Sequence, residues 1–471
     1  MKRIAILTAG GDTPALNATI HGAVVRANQL RIEILGLLRG FNSLFSPQVP
    51  YLRLNPLFGE IPELDPTKGG TILGSSRTYV DAEDTENLDL ICERLKQLKI
   101  EGLICVGGDG TLNGLQPLCE RIPTVLAPKT IDNDLGLNFP NENDKWIREP
   151  DPNDSSKFVY RENPSVFVQG PSSLALEQMV NYATPGYATA VFVSTGGVER
   201  IRTTAESHRR VAIIEVMGRH SGYIALGSAY GQPDLILVPE FGVNVELLVE
   251  RVKEIYDFQR NVVIVVGEGI VDREGKELGA TISSTDPSGN MILNGAADRL
   301  RQILIDEIGD DFFRRKNRND SAETAIFTRK VGHTQRGGRP LTFDRFYAAR
   351  LGGKAVEMLV EGQNNYCAIL QWSQENGFYL DSVDGNSFRD QWGLIHARTL
   401  HPSFYDESRM SISSVGAEYL LPIFTNAIGY DDVEQIRDTR FGSGNLFRRY
   451  HSVNADIRKR VQYGPLLDRK D

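Results

Sequence analysis

Residues 101–111 read EGLICVGGDGT, an apolar run from Leu103 to Val106 that breaks into Gly107, Gly108, Asp109, Gly110 and Thr111. A short run that is apolar at every position reads as a strand buried on both faces, as in a parallel sheet. Glycines placed directly after such a strand let backbone N–H groups approach an anion, with the positive end of the next helix behind them. The pattern recurs on both sides. RIAILTAGG (3–11) leads into a helix from about Asn17, IEILGLLRG (32–40) follows, the helical EDTENLDLICERLKQL (83–98) precedes the opening run, and RIPTVLAPKTIDND (121–134) comes after it. Ligands of open α/β sheets sit beyond the carboxyl ends of the strands, so the loops after Thr8, Val106 and Ala127 are expected to converge on one crevice.

The whole chain has 471 residues, 41% of them hydrophobic, and a formal net charge of −9. That length supports two or three domains with a large core. The acidic balance argues against a nucleic-acid or membrane-surface binder, so an anionic ligand has to be met by local arginines and lysines. Cys92, Cys105, Cys119 and Cys367 show neither a CxxC pair nor zinc spacing and read as reduced core or surface thiols. MKRIAILTAGG does not read as a signal peptide, and no run reaches the roughly 18 to 20 apolar residues of a membrane span. A cytoplasmic location is the expectation.

A second α/β unit follows a break. NFPNENDKWIREPDPNDSSKFVYRENPSVFVQGPSS (138–173) reads as a surface excursion; beyond it VERIRTTAESHRR (198–210) is helical, and RVAIIEVMG (210–218), DLILVPE (234–240) and NVVIVVGEG (261–269) are strands. The basic tail FRRYHSVNADIRKRVQYGPLLDRKD (447–471) reads as solvated surface. The fold expected is α/β: two Rossmann-like three-layer α/β/α domains with mainly parallel sheets and the active site in the cleft between them.

Chemistry concentrates in the loops. In VGGDGTLNG (106–114), Gly107, Gly108 and Gly110 read as bare so that phosphates reach the backbone. Asp109 reads either as a helix cap or as an oxygen ligand through which Mg²⁺ bridges to those phosphates. Asp132 and Asp134 in PKTIDNDLG (128–136) stand two apart, which in an extended backbone puts both carboxylates on one side. Their repulsion raises a pKa toward the range of a general base, although a surface turn also uses Asn and Asp. GGTILGSSRT (69–78) and VGHTQRGGRP (331–340) set Arg77 and Arg336 beside glycines, as forked phosphate donors or as plain surface arginines.

GGDTPALNA (10–18), GGTILGSSR, GGDGT, PKTIDND, EVMGRHSGYIAL (215–226), the glutamate of VGEG (266–269) and GHTQRGG (332–338) occur in the order found in the phosphofructokinase family. The chain resembles that family over residues 1–137 and about 184–360. GGDGT alone is shared with NAD kinases and diacylglycerol kinases; the ordered set is far more specific. The resemblance implies phosphoryl transfer, with Mg²⁺, to the 1-hydroxyl of fructose 6-phosphate, giving fructose 1,6-bisphosphate in glycolysis. Asp132 looks like the general base, with Thr130 and Asp134 shaping its loop. Asp109 looks like the metal-associated carboxylate, Gly10, Gly11, Gly108, Gly110, Thr111 and Lys129 like the donor site, and Arg77 like the contact to the transferred group. Met217, Gly218, Arg219, Glu268, His333 and Arg336 would hold the sugar phosphate, with Arg210 arriving from a neighbouring subunit of a homodimer or homotetramer. Taken singly, Met217 also reads as core, Glu268 as a strand-end cap and His333 as a structural imidazole. Residues 1–137 plus about 334–385 are expected to bind the donor, 138–183 to be a polar insertion, and 184–333 plus about 386–471 to bind the sugar phosphate.

The sequence departs from the family pattern in places. Ala15 stands where a glycine is usual, GYATA (186–190) lacks an aspartate, and Gly196 and Gly197 are expected to interrupt a helix at about 1 kcal/mol each. Phe327 occupies the place of a second intersubunit arginine, with Arg329 near enough to substitute. In this family Gly110 goes with ATP and Lys129 with pyrophosphate, and plant- and trypanosome-type ATP enzymes combine the two. ATP is therefore the expected donor and pyrophosphate the alternative. A nucleotide-sensing subunit without catalysis is disfavoured by the retention of Asp109, Asp132, Asp134 and Arg77. A dinucleotide oxidoreductase is disfavoured because no GxGxxG follows the first strand.

Overall fold

The computed structural model describes residues 1–151, 158–163, 174–285, 291–293, 295–316, 321–430 and 453–466. Its strands are β1 (Arg3–Ala9), β2 (Glu33–Leu37), β3 (Pro50–Arg53), β4 (Ser75–Ser76), β5 (Leu103–Gly107), β6 (Thr124–Pro128), β7 (Trp146–Pro150), β8 (Phe158–Glu162), β9 (Val211–Val216), β10 (Leu235–Leu237), β11 (Val262–Gly267), β12 (Ala280–Thr285), β13 (Met291–Leu293), β14 (Ile326–Lys330), β15 (Tyr366–Ser373) and β16 (Gly377–Asp384). The helices that matter below are α1 (Leu16–Gln29), α2 (Thr85–Gln97), α3 (Asp109–Gly114), α4 (Tyr187–His208), α5 (Val245–Gln259), α6 (Ala296–Ile308), α7 (Thr342–Val360) and α8 (Ser414–Phe424).

The first sheet runs β16-β15-β6-β5-β1-β2-β3 and ends on Gln462–Tyr463, with β4 added beside β1. Its centre is parallel and its two margins are antiparallel. The second sheet, β10-β11-β9-β14, is parallel throughout. Continuous apolar runs are needed here because successive side chains serve opposite faces. Ile4 and Ile6 of β1 join one core cluster while Ala5 and Leu7 join another, and β5 divides Ile104 and Val106 from Leu103 and Cys105 in the same way. In β9, Ala212, Ile214 and Val216 enter the first of these clusters and Val211 and Ile213 a third. One cluster therefore reaches from the first sheet to the second, and both sheets are fixed against a shared core.

Three expectations change. Helix α4 runs through Gly196 and Gly197 without a break, and a Cβ added at Gly197 would make ordinary contact with a Val331 methyl group at 3.5 Å. Packing overrides the propensity cost. Gln462–Tyr463 of the tail is solvent-exposed as expected but pairs antiparallel with β3. The last described strand thus lies on the first sheet rather than with the second unit; residues 447–452 and 467–471 fall outside the described residues. The segment 138–183 is not a mere surface excursion either, although 152–157 and 164–173 also fall outside the description. Its strands β7 and β8 pair as a hairpin, Trp146 stacks on His396 at 3.9 Å, and buried Lys145 binds Glu142 at 3.0 Å and Glu162 at 2.8 Å. Of the cysteines, Cys105, Cys119 and Cys367 are buried and Cys92 is partly so, all as free thiols.

Lys145 and Glu142 are both nearly sealed from solvent, and Glu142 also accepts from the backbone and side-chain nitrogens of Asn138. Lys145→Met leaves that carboxylate buried without its cation and is expected to destabilise by about 3–5 kcal/mol. The double variant Lys145→Met, Glu142→Gln should recover part of the loss. Urea unfolding of the three proteins is the check, and a neutral Lys145→Met would show that the triad holds nothing.

Candidate active site

The loops that follow β1, β5 and β6 face those that follow β9, β11 and β14 across a cleft of about 620 Å³. Two carboxyl-end loop clusters from two parallel sheets thus make one site, as the chain direction of such sheets requires. Gly10, Gly11, Arg77, Gly108, Asp109, Gly110, Thr111, Lys129, Thr130, Asp132, Asp134, Met217, Arg219, Glu268, His333 and Arg336 all line it.

Local geometry explains how each arrives. Gly10 holds φ +76, a conformation side-chain-bearing residues avoid. Its N–H donates to Ser76 O at 2.8 Å and its carbonyl accepts from Ser75 Oγ at 2.7 Å. With Thr8 and Ala9 paired to Ser75 and Ser76, the 69–78 loop is fastened to the end of β1 and Arg77 hangs over the cleft mouth. Gly107 has a different duty from the one expected: an added Cβ would lie 2.0 Å from Thr111 Oγ1, so its bareness serves the tight entry into α3. Gly108 has nothing nearer than 3.6 Å to that position and remains open to a ligand. Across the cleft, Gly218 at φ +120 turns the chain after β9, delivering Arg219. Gln335, fully buried, accepts from Met217 N at 2.9 Å and donates to Ser194 Oγ at 2.6 Å, which fixes the segment carrying His333 and Arg336.

The TIDND loop is not extended, contrary to expectation. Asn133 takes φ +57, and Asp132 and Asp134 reach the same cleft through a turn. Thr130 Oγ1 donates to Asp134 Oδ1 at 2.9 Å and accepts from Asp132 N at 3.1 Å. The turn is held from remote parts of the chain. Asn133 Nδ2 donates to Tyr419 Oη at 2.6 Å, Thr184 Oγ1 donates to Thr130 O at 2.9 Å, and buried Arg398 donates Nη2 to Asn133 O at 2.7 Å and Nη1 to Asn181 O at 2.8 Å.

Four acidic groups share this space. Burial, then the charge of Asp134, pushes Asp132 up to about 7, against the opposing pull of Arg336. Burial and Asp134 push Asp109 up to about 7 as well, opposed by backbone N–H groups at Gly110 and Asp109. Burial also raises Glu268. Lys129 is brought down to about 7 by burial and then by Arg336; its Nζ donates to Gly11 O. Arg336 spans the cleft, with Nη2 4.0 Å from Asp132 Oδ2 and Nη1 3.5 Å from Asp12 O. A carboxylate that readily takes a proton, beside two cations and an open glycine turn, can accept a proton from a ligand hydroxyl and receive phosphate groups. Among the described residues no group of three or more His, Cys, Asp or Glu forms a self-sufficient metal cage. Asp109 fits Mg²⁺ in another way, since that ion takes one or two carboxylates and completes its shell with phosphate and water oxygens.

Arg210, between α4 and β9, does not line this cleft; its N–H donates to Ala205 O. Phe327 and Arg329 also lie elsewhere on β14, with the guanidinium 5.3 Å from the Phe327 ring centre. Thr13, Tyr79, His220 and Ala397 line the cleft without having been singled out. His220 lies inside the EVMGRHSGYIAL motif, directly after Arg219. Nothing local marks Arg398 or Tyr419, whose partners lie hundreds of residues away.

A family model described as Phosphofructokinase matches residues 3–138 and 168–359. The chain is 29% identical over 388 residues to a curated "ATP-dependent 6-phosphofructokinase" of Photobacterium profundum, covering 82% of this chain and 93% of that one. It is 30% identical over 412 residues to a "Pyrophosphate--fructose 6-phosphate 1-phosphotransferase" of Dictyoglomus thermophilum, covering 86% and 96%. In fold it is similar to a pyrophosphate-dependent phosphofructokinase from Marinobacter aquaeolei, with a TM-score of 0.66 at 17% identity over 91% of this chain and 92% of that one. A phosphofructokinase from Saccharomyces cerevisiae gives 0.55 at 20% identity over 81% and 44%.

Because Asp132 is raised from its ordinary 3.8 to about 7, the folded state binds its proton more tightly than the unfolded chain does. Its contribution to stability is present below about pH 4 and lost as pH rises through 7. Asp132→Asn removes that loss, so between pH 5 and pH 8 the variant's thermal midpoint should fall less than that of the wild type. Equal falls in the ligand-free proteins would mean the carboxylate is not crowded as described.

Proposed function

The chain belongs to the phosphofructokinase family, and from that we propose that it transfers the terminal phosphoryl group of ATP to the 1-hydroxyl of fructose 6-phosphate, giving fructose 1,6-bisphosphate and ADP. The observation that carries the reading is Asp132: a carboxylate with proton affinity near neutrality, facing the open Gly108 turn and Lys129 on one side and Arg219, Glu268 and His333 on the other. Asp132 takes the proton of the sugar 1-hydroxyl as its oxygen bonds to the terminal phosphorus and the bond to the leaving ADP oxygen breaks. Lys129, lowered in proton affinity by burial and by Arg336, gains charge when phosphate lies beside it. Arg77 follows the moving group; Arg219 and Arg336 hold the sugar phosphate. Asp109 would hold Mg²⁺ accompanying the donor, and that ion would supply positive charge against the phosphates.

ATP is supported as donor by space. An outer lobe of about 1010 Å³, lined by Asp12, Asn42, Gly70, Thr71 and Ser75 to Tyr79, joins the cleft through Gly10, Gly11, Arg77 and Tyr79. Pyrophosphate has no nucleoside to place there, and Gly110 adds no carboxylate beside the α-phosphate that only the nucleotide carries. Lys129 favours the other reading, a pyrophosphate-dependent enzyme. In this reading residues 1–137 with about 334–385 serve the donor and 184–333 the sugar phosphate. Arg210 comes from a second subunit of a homodimer or homotetramer. Among the described residues no helix is long and apolar enough to cross a membrane, and a cytoplasmic place fits a glycolytic enzyme.

The test is turnover of fructose 6-phosphate with Mg²⁺ and either donor. A larger kcat/KM for ATP is expected; turnover with pyrophosphate alone replaces the donor, and turnover with neither removes the reading. Asp132→Asn should cost roughly 10² to 10⁴ in kcat and leave KM for the sugar phosphate within a few-fold. Arg219→Ala should raise that KM. Arg336→Ala should raise it too and move the acid limb of kcat to higher pH, because this guanidinium holds the Asp132 carboxyl down.

A further inference from the structure

Helix α3 carries two glycines one turn apart, Gly110 and Gly114, and both face the same side chain. A Cβ added at Gly110 would stand 2.8 Å from Tyr79 Oη and 3.6 Å from its Cζ; one added at Gly114 would stand 2.3 Å from Cδ1 and 2.9 Å from Cγ. Positions i and i+4 lie above one another on a helix, so the pair forms a bare strip along which the ring lies. Phe41 backs the ring, with centroids 6.2 Å apart and planes at 53°. Tyr79 lines both the phosphate cleft and the outer lobe, so a donor that extends from one into the other passes over it.

We propose that Tyr79 sets donor specificity: its hydroxyl fills, over Gly110, the place a side chain at residue 110 would take, and its ring walls the passage from the phosphate cleft to the outer lobe. A phenol there offers a hydrogen bond without charge, where a carboxylate would repel the α-phosphate of a nucleoside triphosphate. Residues 79, 110 and 114 act as one coupled unit, with Gly114 bare to seat the ring. This rests on the donor reading above, and two measurements separate the two.

The first needs no donor. Gly114→Ala should lower the thermal midpoint of the wild type, because a methyl group 2.3 Å from Cδ1 of the ring forces Tyr79 off its seat. In a Tyr79→Ala background the same change should be neutral or slightly stabilising, as alanine is the better helix former. Additive effects would overturn the coupling. The second is steady-state kinetics with ATP and with pyrophosphate. Tyr79→Ala should raise the KM of the donor by about tenfold or more through loss of the ring surface and hydroxyl, with the KM for fructose 6-phosphate within twofold; Tyr79→Phe should recover the part that belongs to the ring. An unchanged donor KM in Tyr79→Ala overturns the role of Tyr79. A wild type that turns over only pyrophosphate sinks the ATP reading instead, and Tyr79 then stands or falls on whether its removal shifts the KM for pyrophosphate.

Discussion

Asp109, Asp132, Asp134 and Glu268 converge on one cleft in which Lys129 and Arg336 are the nearest cations. Like charges at close range in a poorly hydrated space are unfavourable, and the protein answers by keeping some of these groups protonated near neutrality. That answer suits chemistry in which a hydroxyl proton must be removed and multiply charged phosphate accommodated. The cluster is unfavourable by itself, and a cation entering the cleft would relieve it. Stability given up at the site is returned on binding.

Such a cluster persists only if its carriers cannot move apart. Both parallel sheets send alternate side chains into a common core, so the loop ends on either side of the cleft are anchored to the same packed mass. The turn carrying Asp132 and Asp134 is then tied from three further directions, by Thr184 ahead of α4, by Tyr419 in α8 and by Arg398 in the segment between β16 and α8. Arg398 suits the task because its planar fork can satisfy two carbonyls at once while the guanidinium lies 5.0 Å from the Tyr223 ring centre. The long closing region and the 138–183 insertion, which packs against it through Trp146 and His396, brace the turn that carries Asp132 and Asp134.

The glycines of the loops after β1, β5 and β9 divide among distinct physical duties. Gly10 and Gly218 are there for backbone angles that other residues avoid. Gly107 and Gly114 make room for neighbours, Thr111 in one case and the Tyr79 ring in the other, while Gly108 keeps space clear. A single motif thus combines turn formation, helix entry and ring packing, and a substitution at each position would fail for a different reason.

The sequence by itself determined β1, β2, β5, β6, β9, β10 and β11, because near-continuous apolar runs followed by glycine-rich or polar loops admit few readings, and it determined the family through seven motifs in fixed order. It also placed nearly every residue of the cleft, since those residues sit immediately after strand ends where chain direction alone sends them to one edge. Only the tertiary structure decided that Gly107 serves packing, that Asn133 turns left-handed, that α4 runs unbroken through its two glycines, that the 138–183 segment is partly buried, and that Gln462–Tyr463 closes the edge of the first sheet. The reason is range. Periodicity and turn chemistry act over a few residues, whereas Tyr419 meets Asn133 across 286 positions and Arg398 meets it across 265, and no local pattern records a partner that far away.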